Sequence, residues 1–135
     1  MTDIELMYTG TWSTQSDFTD EDKRHSMPLM IGDPEKDAAQ LKATSPIQQA
    51  TRIRRPLLLA YGSEDRRVPL HHGQKFRDAV RAGNRQVEWV VYDGEGHGWS
   101  LAKNRIDFWR RVERFLHRHI GAPQATPEAA QAPSR

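Results

Sequence analysis

The run Pro56-Leu57-Leu58-Leu59-Ala60-Tyr61 shows no alternation of apolar and polar residues and ends at Gly62-Ser63-Glu64-Asp65. A strand with one wet face alternates; an unbroken apolar run of this length fits a strand covered on both faces, as in a parallel sheet beneath helices. A second run, Val87-Glu88-Trp89-Val90-Val91-Tyr92, ends at Asp93-Gly94-Glu95-Gly96-His97-Gly98. Between them, residues 71–81 read as a helix, with Phe76, Ala79 and Val80 on one face at i, i+3 and i+4. Ala82-Gly83-Asn84 ends that helix, and Gly83 is expected to take a left-handed cap. After the second strand, residues 103–120 form the best helix of the chain. Its apolar stripe is Phe108, Trp109, Val112, Phe115, Leu116 and Ile120, with Asp107, Arg110, Arg111, Glu113 and Arg114 expected to face out. Strand, helix, strand, helix with short connections argues an α/β class with a parallel sheet and right-handed crossovers. In such sheets chemistry gathers past the carboxyl ends of the strands, which is where Asp65 and His97 fall.

The stretch before the first strand is less regular. Thr19-Asp20-Glu21-Asp22 suits a helix N-terminus, predicting a short helix over residues 20–27. Gly32-Asp33-Pro34-Glu35 is a stronger start, with Asp33 as cap and Pro34 at the first helical position. That helix is expected to reach about residue 43 and to stop before Ser45-Pro46, because the residue before proline avoids helical angles. A short turn over residues 46–50 leads into the strand. Thr11 to Thr14 reads as loop, and the Pro/Ala/Gln-rich residues 121–135 as a disordered tail after a domain spanning residues 1–120.

Composition closes off several classes of function. With Lys+Arg 20 against Asp+Glu 18, the net charge of +2 is spread along the chain, and no basic stripe with interleaved aromatics marks a nucleic-acid surface. The absence of cysteine removes thiolate nucleophiles, disulfides and Cys-based metal sites, and leaves the redox compartment open. No run approaches the roughly 18 apolar residues of a membrane span. The start, Met1-Thr2-Asp3-Ile4-Glu5, lacks the basic-then-apolar layout of a secretory leader, so the cytoplasm is the default and a periplasmic or secreted parent stays open. His117 and His119 stand two apart on a helix and do not share a face, so no metal is expected, and no cofactor is implied.

Taken singly, the chemistry-bearing residues are ambiguous. A histidine between Gly96 and Gly98 reads equally as a glycine turn with an incidental imidazole, and an acid after a strand often only caps the next helix. Glu64 and Asp65 compete for any acidic role. Together they mean more. A histidine acting as general base must be held in one tautomer, and a buried carboxylate does this by accepting the proton on one ring nitrogen and stabilising the imidazolium that forms.

Ser45-Pro46-Ile47, then Pro56 through Gly62-Ser63-Glu64-Asp65-Arg66-Arg67-Val68-Pro69, then Gly94-Glu95-Gly96-His97-Gly98-Trp99, resembles the C-terminal part of an α/β-hydrolase. More closely it resembles the catalytic domain of the prolyl oligopeptidase family of serine peptidases, which includes dipeptidyl and acylaminoacyl peptidases. The similarity runs over residues 1–120 and is most specific over residues 45–115. The resemblance implies that Asp65 rather than Glu64 is the triad acid and that His97 is the triad base. It also implies a nucleophile in a Gly-x-Ser-x-Gly elbow ahead of this region. None of Ser13, Ser16, Ser26, Ser45, Ser63, Ser100 and Ser134 lies in that pattern, and the oxyanion-hole segment belongs to the same missing region. The expected architecture is therefore a partial α/β-hydrolase fold, its last two parallel strands with flanking helices, the N-terminal strands and elbow absent.

The function implied is the C-terminal segment of a serine-type peptidase acting on oligopeptide or aminoacyl bonds, inactive alone for want of the serine. An esterase on the same fold and a non-catalytic association module are the alternatives. The partners expected are a peptide substrate in the complete enzyme and a second copy pairing through the unpaired strand 56–61, with neither nucleic acid nor membrane. Trp99 is expected to pack more than to touch substrate. His71 and His72 are assigned to a helix start, Arg66 and Arg67 either favour an ionised Asp65 or are merely solvated, and Tyr8 and Trp12 either line a pocket or pack beneath a roof.

Overall fold

The computed structural model describes residues 2–9 and 18–121. The continuous apolar run forms β1 (Leu57–Gly62), and the second run forms β2 (Val87–Tyr92). They pair in parallel from Leu57 opposite Val87 to Gly62 opposite Tyr92, so both carboxyl ends finish at the same level. Pro56 has no amide hydrogen to donate, and the ladder begins one residue later, where the Leu57 amide donates to the Gln86 carbonyl at 2.9 Å.

Helix α4 (Leu70–Arg81) makes the crossover and covers one face of the sheet. Phe76 and Val80, the residues its periodicity turns inward, join Ala50 and Val87 in a buried cluster edged by Ile47, Ile53, Leu57, Leu59 and Ala79. Ala50 and Ile47 come from a 3-10 helix, Pro46–Arg52, where a short turn was expected. Gly73 sets the distance between helix and sheet: a Cβ there would stand 2.5 Å from the Tyr61 ring.

The helix ends otherwise than expected. Gly83 does not adopt positive φ; Ala82 caps with φ −58°. The turn is closed by Asn84, buried at 6% exposure, whose side-chain amide donates to the Arg55 carbonyl at 2.8 Å and accepts from the Gln86 amide at 2.8 Å. A side chain that satisfies the local backbone removes the need for a left-handed residue.

After β2 comes α5 (Ala102–Ile120). Its stripe is only partly covered: Phe108, Val112 and Phe115 are half-buried, while Trp109, Leu116 and Ile120 are 60%, 44% and 77% exposed. Asp107 and Arg111, expected to face solvent, are half-buried instead, because Asp107 accepts from the Tyr92 hydroxyl at 2.9 Å and from Arg111 Nε at 2.6 Å. The phenol is pushed up to about 12 by burial and by Asp107.

Three short helices precede the sheet: α1 (Ile4–Thr9), α2 (Met27–Ile31) and α3 (Ala38–Thr44). A π-helical turn, Asp22–Ser26, runs straight into α2, so this segment extends beyond the expected residue 27 to Gly32, whose φ of 119° breaks it. The start signal at Asp33-Pro34 makes a turn rather than a helix. Asp33 accepts from the Glu35 and Lys36 amides, both at 2.9 Å, and α3 begins only at Ala38. The N-terminal segment is tied down by the Ile47 amide on the Thr2 carbonyl (2.8 Å), the Thr2 hydroxyl on the His72 carbonyl (2.8 Å) and Lys75 on Asp3 (2.7 Å). Trp12, its loop and the tail beyond Gly121 lie outside the described residues.

Candidate active site

The acid arrives at the end of β1 on a tight turn. Asp65 is 9% exposed, and its Oδ1 accepts from the backbone amides of Arg67 (3.0 Å) and Val68 (2.9 Å). These bonds pin one carboxylate oxygen and leave the other to a partner from elsewhere. Glu64, the competing acid, is exposed, and only its backbone joins the site, its amide donating to the Glu95 carbonyl at 2.9 Å.

The histidine arrives at the end of β2. His97 Nδ1 lies 2.9 Å from Asp65 Oδ2 across a sequence gap of 32 residues. The parallel register explains the meeting, since adjacent strands ending at one level deliver their following loops side by side. With the carboxylate acting only as acceptor, Nδ1 carries the proton and donates it, which leaves Nε2 as the basic nitrogen. The Asp65 side chain is 8% exposed against 52% for His97, so the acid is shielded while the ring lines an open cleft. That cleft holds about 390 Å³ and is bordered by Tyr61, Val68 and Trp99 as well as the pair.

Glycine lets the two loops close on each other. A Cβ on Gly62 would stand 2.2 Å from the Glu95 carbonyl oxygen, so no other residue fits there. Trp99 lines the cleft but also packs, its ring 4.7 Å from Tyr92 and 5.3 Å from Phe108.

Glu95 was not singled out from the sequence. It is fully buried, and its carboxylate accepts four hydrogen bonds: from the Ser100 amide (2.7 Å) and hydroxyl (2.6 Å), the Leu101 amide (3.0 Å) and the Asn104 side chain (2.7 Å). The Ser100 hydroxyl and the other donors, against the cost of burial, hold it down to about 2. The available signal was an acid a few residues ahead of the long helix, where unpaired backbone amides seek an acceptor.

The other candidates fall outside the pair. His71 and His72 sit in the first turn of α4, as assigned; His72 is 1% exposed, and among the described residues its Nδ1 has no hydrogen-bond partner. Tyr8 donates to the Gly32 carbonyl at 2.8 Å and borders a separate pocket of about 300 Å³. Arg66 and Arg67 are exposed. The Ser45 hydroxyl bonds the Leu41 carbonyl and the Ile4 amide, Ser63 bonds Asp93 and the Gly94 amide, and Ser100 bonds Glu95. Among the described residues no serine hydroxyl is hydrogen-bonded to His97; Ser13, Ser16 and Ser134 lie outside them. Among the described residues, too, there is no cluster of three metal-ligating side chains, and no helix is long and apolar enough to cross a membrane.

Residues 6–123 match the model of the prolyl oligopeptidase family. The chain belongs to that family. Among its curated relatives, dipeptidyl aminopeptidase BIII of Pseudoxanthomonas mexicana is 34% identical over 93 residues, which cover 67% of this chain and 14% of the relative. The acylamino-acid-releasing enzyme of Rattus norvegicus is 33% identical over 78 residues, covering 58% and 11%. Among solved structures, a puromycin hydrolase mutant complexed with PGG superposes with a TM-score of 0.75 at 22% identity, covering 94% of this chain and 18% of that one. An esterase of Pyrococcus furiosus gives 0.55 at 23% identity, covering 87% and 41%. The fold is thus part of an α/β-hydrolase fold, and this family member spans about a seventh of the first relative's length. It is part of a hydrolase domain of the peptidase and esterase type.

Proposed function

We propose that this family member supplies the acid and the base of a serine-type hydrolase that cleaves oligopeptide or aminoacyl bonds. Asp65 orients the ring of His97. His97 takes the proton of a serine hydroxyl from outside this chain as that oxygen attacks the substrate carbonyl, then returns it to the leaving amine. The observation that carries the reading is the 2.9 Å contact between Nδ1 and a shielded carboxylate, with the ring bordering an open cleft. The peptide rather than ester assignment rests on relatives named dipeptidyl aminopeptidase and acylamino-acid-releasing enzyme.

Two assays test this. The chain alone is expected to turn over neither an aminoacyl-naphthylamide nor a p-nitrophenyl ester, and turnover abolished by His97→Ala would show that a nucleophile is present after all. In a chimera, residues 1–120 replace the matching C-terminal segment of the Pseudoxanthomonas mexicana enzyme. There, His97→Ala is expected to reduce kcat by about a millionfold and Asp65→Asn by about ten-thousandfold. A folded chimera indifferent to both substitutions sinks the assignment.

A second reading is favoured by one observation. Among the described residues β1 pairs only with β2, which leaves an apolar strand with an open edge. Such an edge is a template for another strand, and on this reading the chain self-associates through residues 57–62. A monodisperse monomer in sedimentation velocity at tens of micromolar would rule it out.

A further inference from the structure

His97 sits in the least constrained kind of backbone. Gly94 has φ 70° and Gly98 φ 133°, Gly96 precedes the ring directly, and the side chain's one hydrogen bond among the described residues is to Asp65. A single contact does not hold a glycine-flanked loop in one conformation, so the loop must be fixed through its ends. Residue 95 is where this happens. Its amide donates to the Tyr92 carbonyl at the end of β2 (3.4 Å), and its carbonyl accepts from Glu64 in the acid loop (2.9 Å). Its carboxylate spans the start of α5, Oε2 taking both donors of Ser100 and Oε1 taking the Leu101 amide and Asn104. Residues 95–100 are thereby closed into a ring with His97 inside it, and the ring is bolted to β2, to the acid loop and to the long helix.

We propose that Glu95 is a positioning residue for His97, acting through the loop it closes and never touching the reacting atoms. The inference rests on the reading of Asp65 and His97 as an acid–base pair and adds a third member to it. The chemistry demands an ionised carboxylate. Four donors converge on two oxygens, and a carboxylate is the side chain that accepts on both without presenting a hydrogen. An amide of the same shape offers one oxygen, so two of the four donors would face an NH₂ group.

The test reads the imidazole directly. In the ¹⁵N-labelled chain, well below its melting temperature and above the pH at which the ring is neutral, the His97 ring nitrogens report the ratio of the Nδ1–H to the Nε2–H tautomer. Asp65→Asn is expected to lower that ratio at least tenfold and Glu95→Gln at least threefold. Asn104→Ala, which removes one of the four donors, is expected to shift it less and in the same direction, and it stands in should Glu95→Gln fail to fold. Faster exchange of the Ser100 and Leu101 amides with an unchanged tautomer ratio would make Glu95 a helix cap only and overturn the proposal while leaving the pair intact. An unchanged ratio in Asp65→Asn would overturn both.

Discussion

The two faces of the sheet are finished to different degrees. On one, α4 buries His72, Gly73, Phe76 and Val80 against the strands and the Pro46–Arg52 turn. On the other, α5 is longer, 19 residues against 12, and carries the wider apolar stripe, yet none of its residues is buried. The long helix is held by Glu95 at its start, by the Tyr92 hydroxyl on Asp107 and the Trp99 ring against Phe108 in its first half, and by an exposed contact of Arg118 with Glu88 at 2.7 Å near the close. The lesson is that the buried core of the described residues lies on the α4 side, while the α5 side leaves much of its apolar stripe exposed.

That contrast makes graded predictions. The largest is in the α4 core, where Phe76→Ala is expected to cost about 3–5 kcal/mol, read from urea unfolding; a loss below about 1 kcal/mol would mean the α4 face is not the core.

Acidification comes next. Burial, outweighing the neighbouring Asp3 carboxylate, lowers His72 from 6.5 to about 4. The folded state therefore holds this ring neutral where the unfolded chain would protonate it. Its contribution is fully present above pH 6.5 and is lost as pH falls towards 4, an effect of about 2–3 kcal/mol. Urea midpoints across that window should fall in the native chain and fall less in His72→Gln; identical slopes would place the buried imidazole outside the balance.

Asn84→Ala, which orphans the Arg55 carbonyl and the Gln86 amide at the foot of the same helix, is expected to cost about 1–2 kcal/mol in the same assay. Smallest should be the bare side. Leu116→Ser and Ile120→Ser are each expected to change stability by no more than about 0.5 kcal/mol, while lowering any self-association seen in sedimentation. A loss of about 2 kcal/mol from either would show that the α5 face is covered in solution, and the contrast between the faces would collapse.

The two loops at the carboxyl ends differ in a parallel way. Asp65 is held by amides two and three residues ahead, bonds that a turn makes locally. His97 is held through Glu95, whose donors lie on the following helix. The residues alone left Glu64 and Asp65 competing; in the structure Asp65 folds inward because its own turn supplies donors, and Glu64 is left outside. The support of the base was harder to see. Glu95 lies among glycines in a run that reads as a flexible loop, and only the helix start beyond it reveals four donors.

What the sequence determined by itself was whatever depends on neighbours along the chain. The apolar runs set β1 to within a residue and β2 at Val87–Tyr92; the periodicity of Phe76, Ala79 and Val80 set the inner face of α4; and Asp65 and His97 fall just past the two strand ends, where their side chains meet. What tertiary structure alone decided was where buried polar groups find their partners. Asn84 replaced Gly83 as the device that closes a helix, Asp107 turned inward to Tyr92, His72 was left neutral in the core, and Glu95 became the anchor of the histidine loop. The physical reason is range. Burial of apolar surface follows a local period, whereas a buried donor or acceptor is satisfied by whichever group the fold brings within about 3 Å, most often from another element.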